Sequence, residues 1–217
     1  MPSITLQDKL DEITSRTRGL VQAERLAIGE NFVQELLNSG IESRTLKVGD
    51  SVSEFALKDS AGKIVRSSDL LALGPVVVKF FRGRWCPYCM TELEAWRDLY
   101  GRVRELGGLM VAISPQNQRQ NDFTVQQHEL RFPVLNDPGA KVAEAFGITY
   151  TVPEPMQRHY RSILVNIPFV NGEESWRLPL PAVFVVGQDG VVRFAEAHAD
   201  FRVRTEPERV LGALISA

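Results

Sequence analysis

The chain's two cysteines stand three residues apart in Phe80-Phe81-Arg82-Gly83-Arg84-Trp85-Cys86-Pro87-Tyr88-Cys89, and its 217 residues hold no other thiol. An apolar run of strand texture precedes them and a helical pattern follows, so the pair falls on a strand-to-helix junction, where thiol redox chemistry is expected. A cysteine just ahead of a helix faces backbone N–H groups that lack intrahelical partners, and the positive end of the helix dipole. Both favour thiolate over thiol. Cys86 is therefore the expected nucleophile. Cys89, one turn into the helix and turned more towards the interior, suits a resolving thiol that closes a disulfide. Arg82 and Arg84 add positive charge near the anion, and Trp85 stands directly beside it.

The same residues admit other readings. A CxxC pair can be half of a zinc site, but the remaining ligands would have to be His128, His159 and His198, which are far apart and lack ligand spacing. Two inert buried cysteines are a second alternative, although a structural pair gains nothing from a helix N-terminus. A non-catalytic binding or redox-sensing module is a third, since a fold does not guarantee activity. No metal or other cofactor is expected.

The formal net charge of −2 offers no general attraction to phosphate backbones or anionic lipid, so nucleic acid and membrane are not expected as partners. Charged residues at 24% and hydrophobic ones at 44% are those of a soluble globular protein. The N-terminus carries charges where a signal peptide needs its apolar stretch, and no later run approaches the roughly 18 apolar residues of a membrane span. A cytoplasmic location is expected, and in that reducing compartment a lone cysteine pair cycles rather than staples.

The elements that must position the pair follow from periodicity. Leu6, Leu10, Ile13, Leu20, Ile28, Phe32 and Leu36 recur at helical spacing, predicting two helices that break near Arg18-Gly19 and end at Asn38-Ser39-Gly40. Phe55-Ala56-Leu57 and Lys63-Ile64-Val65 read as a hairpin around Ser60-Ala61-Gly62. Val76-Val77-Val78-Lys79-Phe80-Phe81 is the pattern of a central strand covered on both faces. Met90, Leu93, Trp96, Tyr100 and Val103 stripe a helix that ends at Gly107-Gly108, and Leu109-Met110-Val111-Ala112-Ile113-Ser114 is a second buried strand. Together these make a right-handed crossover between parallel strands.

Beyond it, a polar helix over 118–130, a strand at Pro133-Val134-Leu135 and a helix over 142–147 continue the α/β alternation. Residues 151–180 read as an insertion with a helix over 155–165. In it His159, Tyr160, Arg161 and Trp176 are candidates to line an active-site mouth, ordinary packing being an equal alternative. Two strands around Gly187-Gln188-Asp189-Gly190 and a helix over 206–215 finish the chain. The expected organisation is a helical extension over 1–45 and one α/β domain over 46–217. An apolar helix pair at the N-terminus makes a homodimer an expectation as well.

A strand, a CxxC at a helix start, a crossover and a proline just before a hairpin strand resemble the thioredoxin fold, a central mixed sheet flanked by helices. The resemblance makes Pro181 its cis-proline, whose backbone contacts the substrate. Within that superfamily, Val48-Gly49-Asp50 with Phe55, the cysteine segment, Val111-Ala112-Ile113-Ser114-Pro115-Gln116, Phe132-Pro133-Val134-Leu135-Asn136-Asp137-Pro138-Gly139 and Leu178-Pro179-Leu180-Pro181-Ala182 resemble the peroxiredoxin-like branch of the AhpC/TSA family over about residues 46–215. The resemblance implies an antioxidant thiol oxidoreductase with Cys86 in the peroxidatic position. A sulfenic acid at Cys86 would condense with Cys89, and a thioredoxin- or glutaredoxin-type donor would reduce the disulfide. A disulfide in place of the hydroperoxide would make the same couple a disulfide reductase. The chain departs from typical peroxiredoxins in having Gly83 for threonine, Lys79 for proline and Pro181 for arginine. Unless Arg82, Arg84 or Arg161 supplies the missing charge, slow peroxide turnover is expected.

Overall fold

A strand buried on both faces must alternate its side chains between two cores, and the central strands of the computed structural model, which describes residues 4–215, do so. In β3 (Val76–Phe80), Val76, Val78 and Phe80 enter one apolar cluster while Val77 and the following Phe81 enter the other. In β8 (Ala182–Val186), Ala182, Phe184 and Val186 separate from Val183 and Val185 in the same way. Lys79 belongs by parity to the Val77 and Phe81 face, a single cation in a wholly buried strand.

These strands lie in a seven-stranded mixed sheet. With β1 (Ala56–Asp59), β2 (Ile64–Arg66), β4 (Leu109–Ser114), β5 (Val134–Asn136) and β9 (Val192–Ala197), the order is β2-β1-β5-β4-β3-β8-β9. β3 runs parallel to β4, and β4 to β5, while β8 and β9 join antiparallel at one edge and the β1–β2 hairpin at the other. The crossover from β3 to β4 is α4 (Pro87–Glu105), which Pro87 opens at its first position and Gly107, at φ +75°, closes, with Gly107 N–H donating to Arg104 O and Gly108 N–H to Val103 O.

On the α4 side of the sheet lie α1 (Leu6–Leu20) and α9 (Pro207–Leu214), both packed on α4. A reciprocal Thr5–Asp8 capping box starts α1, and the Glu206 carboxylate accepts from the Leu6 and Gln7 N–H groups at 3.1 and 2.9 Å. The break between the first two helices comes at Val21-Gln22 and not at Arg18-Gly19. Gly19 stays helical on an exposed face, and the chain turns where Val21 and Gln22 become extended, ahead of α2 (Ala23–Asn38).

α2 packs on α7 (Glu154–Ser162). The apolar positions Leu6, Leu10, Phe32, Val33 and Leu36 are buried within the one chain, so a homodimer no longer follows from them. The remaining helices are short: α3 (Ser67–Leu71) after β2, α5 (Gln118–Gln127) after β4, and α6 (Lys141–Ala145) after β5. The 151–180 region holds more order than its sequence suggests, because β6 (Thr149–Thr151) pairs antiparallel with β7 (Arg177–Pro179) and closes a loop containing α7 and α8 (Ile167–Asn171). Among the described residues no helix is long and apolar enough to cross a membrane.

One expectation is corrected here. No peptide bond among the described residues is cis, so Pro181 is a trans proline. The reason is local. Leu180 N–H donates to Ile148 O at 2.7 Å and Pro181 O accepts from His198 N–H at 3.1 Å, so the chain runs extended from β7 into β8 without reversing. A proline at a strand start needs no N–H partner and no cis bond. The Leu180 N–H and the Pro181 carbonyl are thus engaged inside the fold.

Candidate active site

Cys86 is the cap residue of α4. Its backbone is extended (φ −97°, ψ 109°) and its carbonyl accepts from Cys89 N–H and Met90 N–H at 3.0 and 3.1 Å, which brings Cys89 back beneath it one turn later. Both are free thiols, 1% and 0% exposed. They differ in what they face. Cys86 lines a cavity of ≈ 280 Å³, whereas Cys89 sits behind it and does not reach the cavity.

Each sulfur has its own guanidinium. Arg82, 1% exposed, places Nη1 3.9 Å from Cys86 Sγ, donates through Nη2 to Tyr160 Oη, and lies over the rings of Trp85 (4.7 Å) and Phe201 (4.3 Å). Arg204 reaches from the loop before α9 to place Nη2 3.6 Å from Cys89 Sγ. Its Nε donates to Glu92 Oε2 at 2.6 Å, and Nη1 is held by the carbonyls of Phe201 and Val203. Glu92 Oε1 then meets Lys79 Nζ at 2.7 Å in an ionic contact not aligned as a hydrogen bond, and Lys79 Nζ donates to Ala182 O at 3.1 Å. The chain Lys79–Glu92–Arg204–Cys89 is thus a buried charge network directly behind the site.

The network decides how the thiols ionise. Burial alone raises both, but for Cys89 it is overcome by a hydrogen bond from the Cys86 thiol and by the charges of Arg204 and Arg82, which bring it down to about 5. Cys86 is pushed well up by burial and by the neighbouring Cys89 anion, against the pull of Arg82 and Arg204. The first proton leaves the pair easily and the second is held. The lowered member of this coupled pair is Cys89 and the raised one Cys86, so the helix terminus does not by itself set the thiolate on Cys86. The shared proton can cross to Cys89, and only the cavity-facing Cys86 can then meet an external substrate.

The cavity is walled by α1 and α2 (Thr14, Thr17, Leu26), the active-site turn (Arg82, Trp85, Cys86, Tyr88), α7 and its exit (Met156, His159, Tyr160, Ile163) and Phe201. Arg82 Nε and Trp85 Nε1 are buried without a partner, two donors in the wall that holds Cys86. Gly83 keeps this turn tight: a Cβ there would stand 2.5 Å from Trp85 Nε1. Trp85 meets Tyr160 edge-on at 5.1 Å.

The sequence candidates separate accordingly. Arg82, Trp85, Cys86 and Cys89 converge, joined by His159 and Tyr160. Arg84 is a correction. Its backbone N–H donates to Gln116 Oε1, and its guanidinium turns to Gln120 and Gln127 of α5 and over Phe123, away from the sulfurs. Arg161 stacks on Trp176 at 4.8 Å, outside the cavity wall. His128 bonds Glu94 and His198 bonds Thr205, and among the described residues no three His, Cys, Asp or Glu side chains converge. Glu92 and Arg204 were missed. A lysine inside a buried strand was the available signal, since it requires a buried counter-ion.

The AhpC/TSA family profile matches residues 48–195. A Mycobacterium tuberculosis protein with a provisional peroxiredoxin name is 34% identical over 103 residues, 48% of this chain and 67% of its own. The thiol-disulfide oxidoreductase ResA of Halalkalibacterium halodurans is 31% identical over 127 residues, 57% of this chain and 68% of its own. The crystal structure of peroxidoxin BcpB from Mycobacterium tuberculosis superposes with a TM-score of 0.62 at 24% identity, covering 79% of this chain and 97% of that one, and shares the thioredoxin fold. With a CxxC at the head of the crossover helix and a profile match over most of its length, the chain belongs to the AhpC/TSA family.

Proposed function

We propose that the protein reduces hydroperoxides through Cys86 and resolves the product through Cys89. The observation that carries this reading is the division of labour between the sulfurs: Cys86 faces the cavity beside Arg82 and two unpartnered donors, and Cys89 lies behind it against Arg204. The Cys86 thiolate attacks one peroxide oxygen, the O–O bond breaks, and the leaving oxygen takes a proton to depart as alcohol or water. Cys86 is left as a sulfenic acid. Cys89 thiolate then attacks that sulfur, an S–S bond forms, and hydroxide leaves with a proton as water. Two electrons from a thioredoxin- or glutaredoxin-type dithiol, the donor of a reducing cytoplasm, restore the pair.

Arg82 takes the place of the arginine replaced by Pro181, and with Arg82 Nε and Trp85 Nε1 it supplies donors where charge builds on the leaving oxygen. Such a donor is worth about 2.7–4 kcal/mol in other enzymes. The peroxiredoxin name of one relative supports the same reaction. The oxidoreductase name of the other supports disulfide reduction by the same couple as a second reading.

Rapid mixing of reduced protein with hydrogen peroxide, an organic hydroperoxide and a small disulfide, followed by tryptophan fluorescence, separates the two by which oxidant reacts fastest. Cys86→Ser is expected to abolish turnover. Cys89→Ser is expected to keep one stoichiometric reaction and accumulate a sulfenic acid that a dimedone probe captures. Loss of that first reaction in Cys89→Ser with retention in Cys86→Ser would reverse the roles.

A further inference from the structure

Charge around the two sulfurs is nearer to balance while they are reduced, two anions facing three cations, than once they are joined. Lys79, Arg82 and Arg204 are 1%, 1% and 5% exposed, and the carboxylate buried among them is Glu92. Of the other groups facing the pair, burial holds three neutral: Tyr150 of β6 and Tyr160 of α7 have their phenols pushed up and His198 is pushed down, while the Tyr88 hydroxyl of α4 shares a hydrogen bond with Thr14. The second negative charge is the thiolate of the pair, with Arg204 Nη2 3.6 Å from Cys89 Sγ and Arg82 Nη1 3.9 Å from Cys86 Sγ. Joining the sulfurs removes that anion and leaves three buried cations facing one carboxylate, an imbalance the interior resists.

From this we infer that the Cys86–Cys89 disulfide is a strong oxidant and that the oxidised protein passes it on to peptide dithiols. A target thiolate entering the cavity attacks Cys86 Sγ, and the S–S bond breaks with Cys89 leaving as the thiolate that Arg204 holds, the better leaving group of the two. The second target thiol attacks the mixed disulfide, the target closes its own S–S bond, and Cys86 departs and takes up one proton. Two electrons move from target to protein. The balance is a disulfide plus a dithiol giving a target disulfide, Cys86 thiol, Cys89 thiolate and one released proton. The inference rests on the hydroperoxide reading only for regeneration of the disulfide, so its test uses no peroxide.

The purified protein is equilibrated with reduced and oxidised glutathione from pH 6 to 8, and its redox state is read by thiol alkylation and mass. Because the reduced pair carries one proton, its oxidation by glutathione disulfide consumes one, and the equilibrium moves ten-fold per pH unit towards the reduced protein as pH rises. A first ionisation near 5 in place of 9 makes the couple about 100-fold more oxidising at pH 7 than the same pair with ordinary thiols, about 59 mV at 29.6 mV per ten-fold. Arg204→Gln is expected to flatten the pH slope and Arg204→Lys to restore most of it, whereas an arginine with only a structural role would change stability and leave the slope. Oxidised wild-type protein is expected to convert a two-cysteine model peptide to its disulfide stoichiometrically. A pH-independent equilibrium in the folded wild type, a couple no more oxidising than a thioredoxin measured beside it, or a peptide left as dithiol overturns the inference. Failure of the hydroperoxide reading appears separately, as absence of the sulfenic acid in Cys89→Ser.

Discussion

Replacing Glu92 by glutamine keeps the shape of the side chain and deletes the buried carboxylate between Lys79 and Arg204. Both ion contacts are short, 2.7 Å to Lys79 Nζ and 2.6 Å to Arg204 Nε, and Lys79 and Glu92 are 1% exposed. Removing one partner of such a pair costs about 3–5 kcal/mol, because the remaining charge stays buried without compensation. The redox state decides where in that range the loss falls. In the reduced protein the Cys89 thiolate still faces Arg204 at 3.6 Å, and the Lys79 ammonium, already pushed down by burial, sheds its proton in partial relief. The lower figure of about 3 kcal/mol is expected there. In the disulfide form no anion remains beside Arg204, and the upper figure of about 5 kcal/mol applies. For a chain of this size roughly 2–4 °C of Tm accompany each kcal/mol, so Tm falls by roughly 6–12 °C in the reduced protein and by roughly 10–20 °C in the oxidised one. Thermal unfolding at pH 7, with a phosphine reductant or after diamide oxidation, reads both. A loss below about 1 kcal/mol in either state, or equal losses in the two, refutes the claim that a thiolate and Glu92 share the balancing of these cations.

The reduced protein has a pH signature of its own. Cys89 ionises near 5 when folded and near 9 when unfolded, so its stabilisation is complete above about pH 9 and is lost as pH falls through 5. Cys86, pushed up, opposes folding only above its ordinary range. Tm of the reduced protein should therefore rise from pH 5 to about 8.5, measured against a Cys89→Ser control that lacks the rise; parallel profiles would remove the thiolate from Cys89. Arg82→Met is expected to slow the reaction of Cys86 with hydroperoxide by about 10²–10³-fold through loss of the donor beside it, and stopped-flow fluorescence measures this. An unchanged second-order rate would take Arg82 out of the reaction. Gly83→Ala, whose Cβ would stand 2.5 Å from Trp85 Nε1, should shift the tryptophan emission and slow the same step, and an unaltered spectrum would show that the turn has room to spare.

How much of this is legible in the sequence depends on whether a feature is local. The β3–α4–β4 crossover is written in a continuous apolar run, a Pro87 start and the Gly107 stop, and each acts within a few residues. The two helices over 6–38 are legible as helices, but their break does not fall at Arg18-Gly19, because a glycine in an exposed helix interior costs only about 1 kcal/mol and need not end it. β6 and β7, three residues each, pair only because the chain between them folds back, and short strands of that kind have no periodicity to read. At the site, Cys86, Cys89, Arg82 and Trp85 are neighbours in sequence and were found together. Arg204 lies 115 residues from Cys89, in a charged stretch with nothing to distinguish it from a solvated loop. The cis-proline expectation failed because the motif fixes where Pro181 stands, whereas the bonds of Leu180 to Ile148 and Pro181 to His198 fix its backbone path.

The three departures from the peroxiredoxin pattern form one rearrangement when placed in the structure. A proline at position 79 would carry no charge, whereas Lys79 brings a cation into a strand with both faces covered and so requires an acid on the facing helix, which Glu92 supplies. A carboxylate there holds a second cation, Arg204, which together with the hydrogen bond from Cys86 and the charge of Arg82 pulls the Cys89 thiol down. The resolving thiol is thereby prepared before any oxidant arrives. At position 83 the loss of a hydroxyl gives the close approach that lets Trp85 lie against the turn and under Arg82. At position 181, where the peroxiredoxin pattern has an arginine, stands a proline, and the guanidinium beside Cys86 is that of Arg82, which enters from the turn itself four residues before the sulfur. The charge beside Cys86 thus comes from its own loop and the charge beside Cys89 from the far end of the chain. Loosening the C-terminal segment near Arg204 should therefore disturb resolution before it disturbs the first attack. An Arg204→Gln protein that forms the Cys86 sulfenic acid at the wild-type rate but closes the disulfide more slowly would show this order, and one slowed equally in both steps would contradict it.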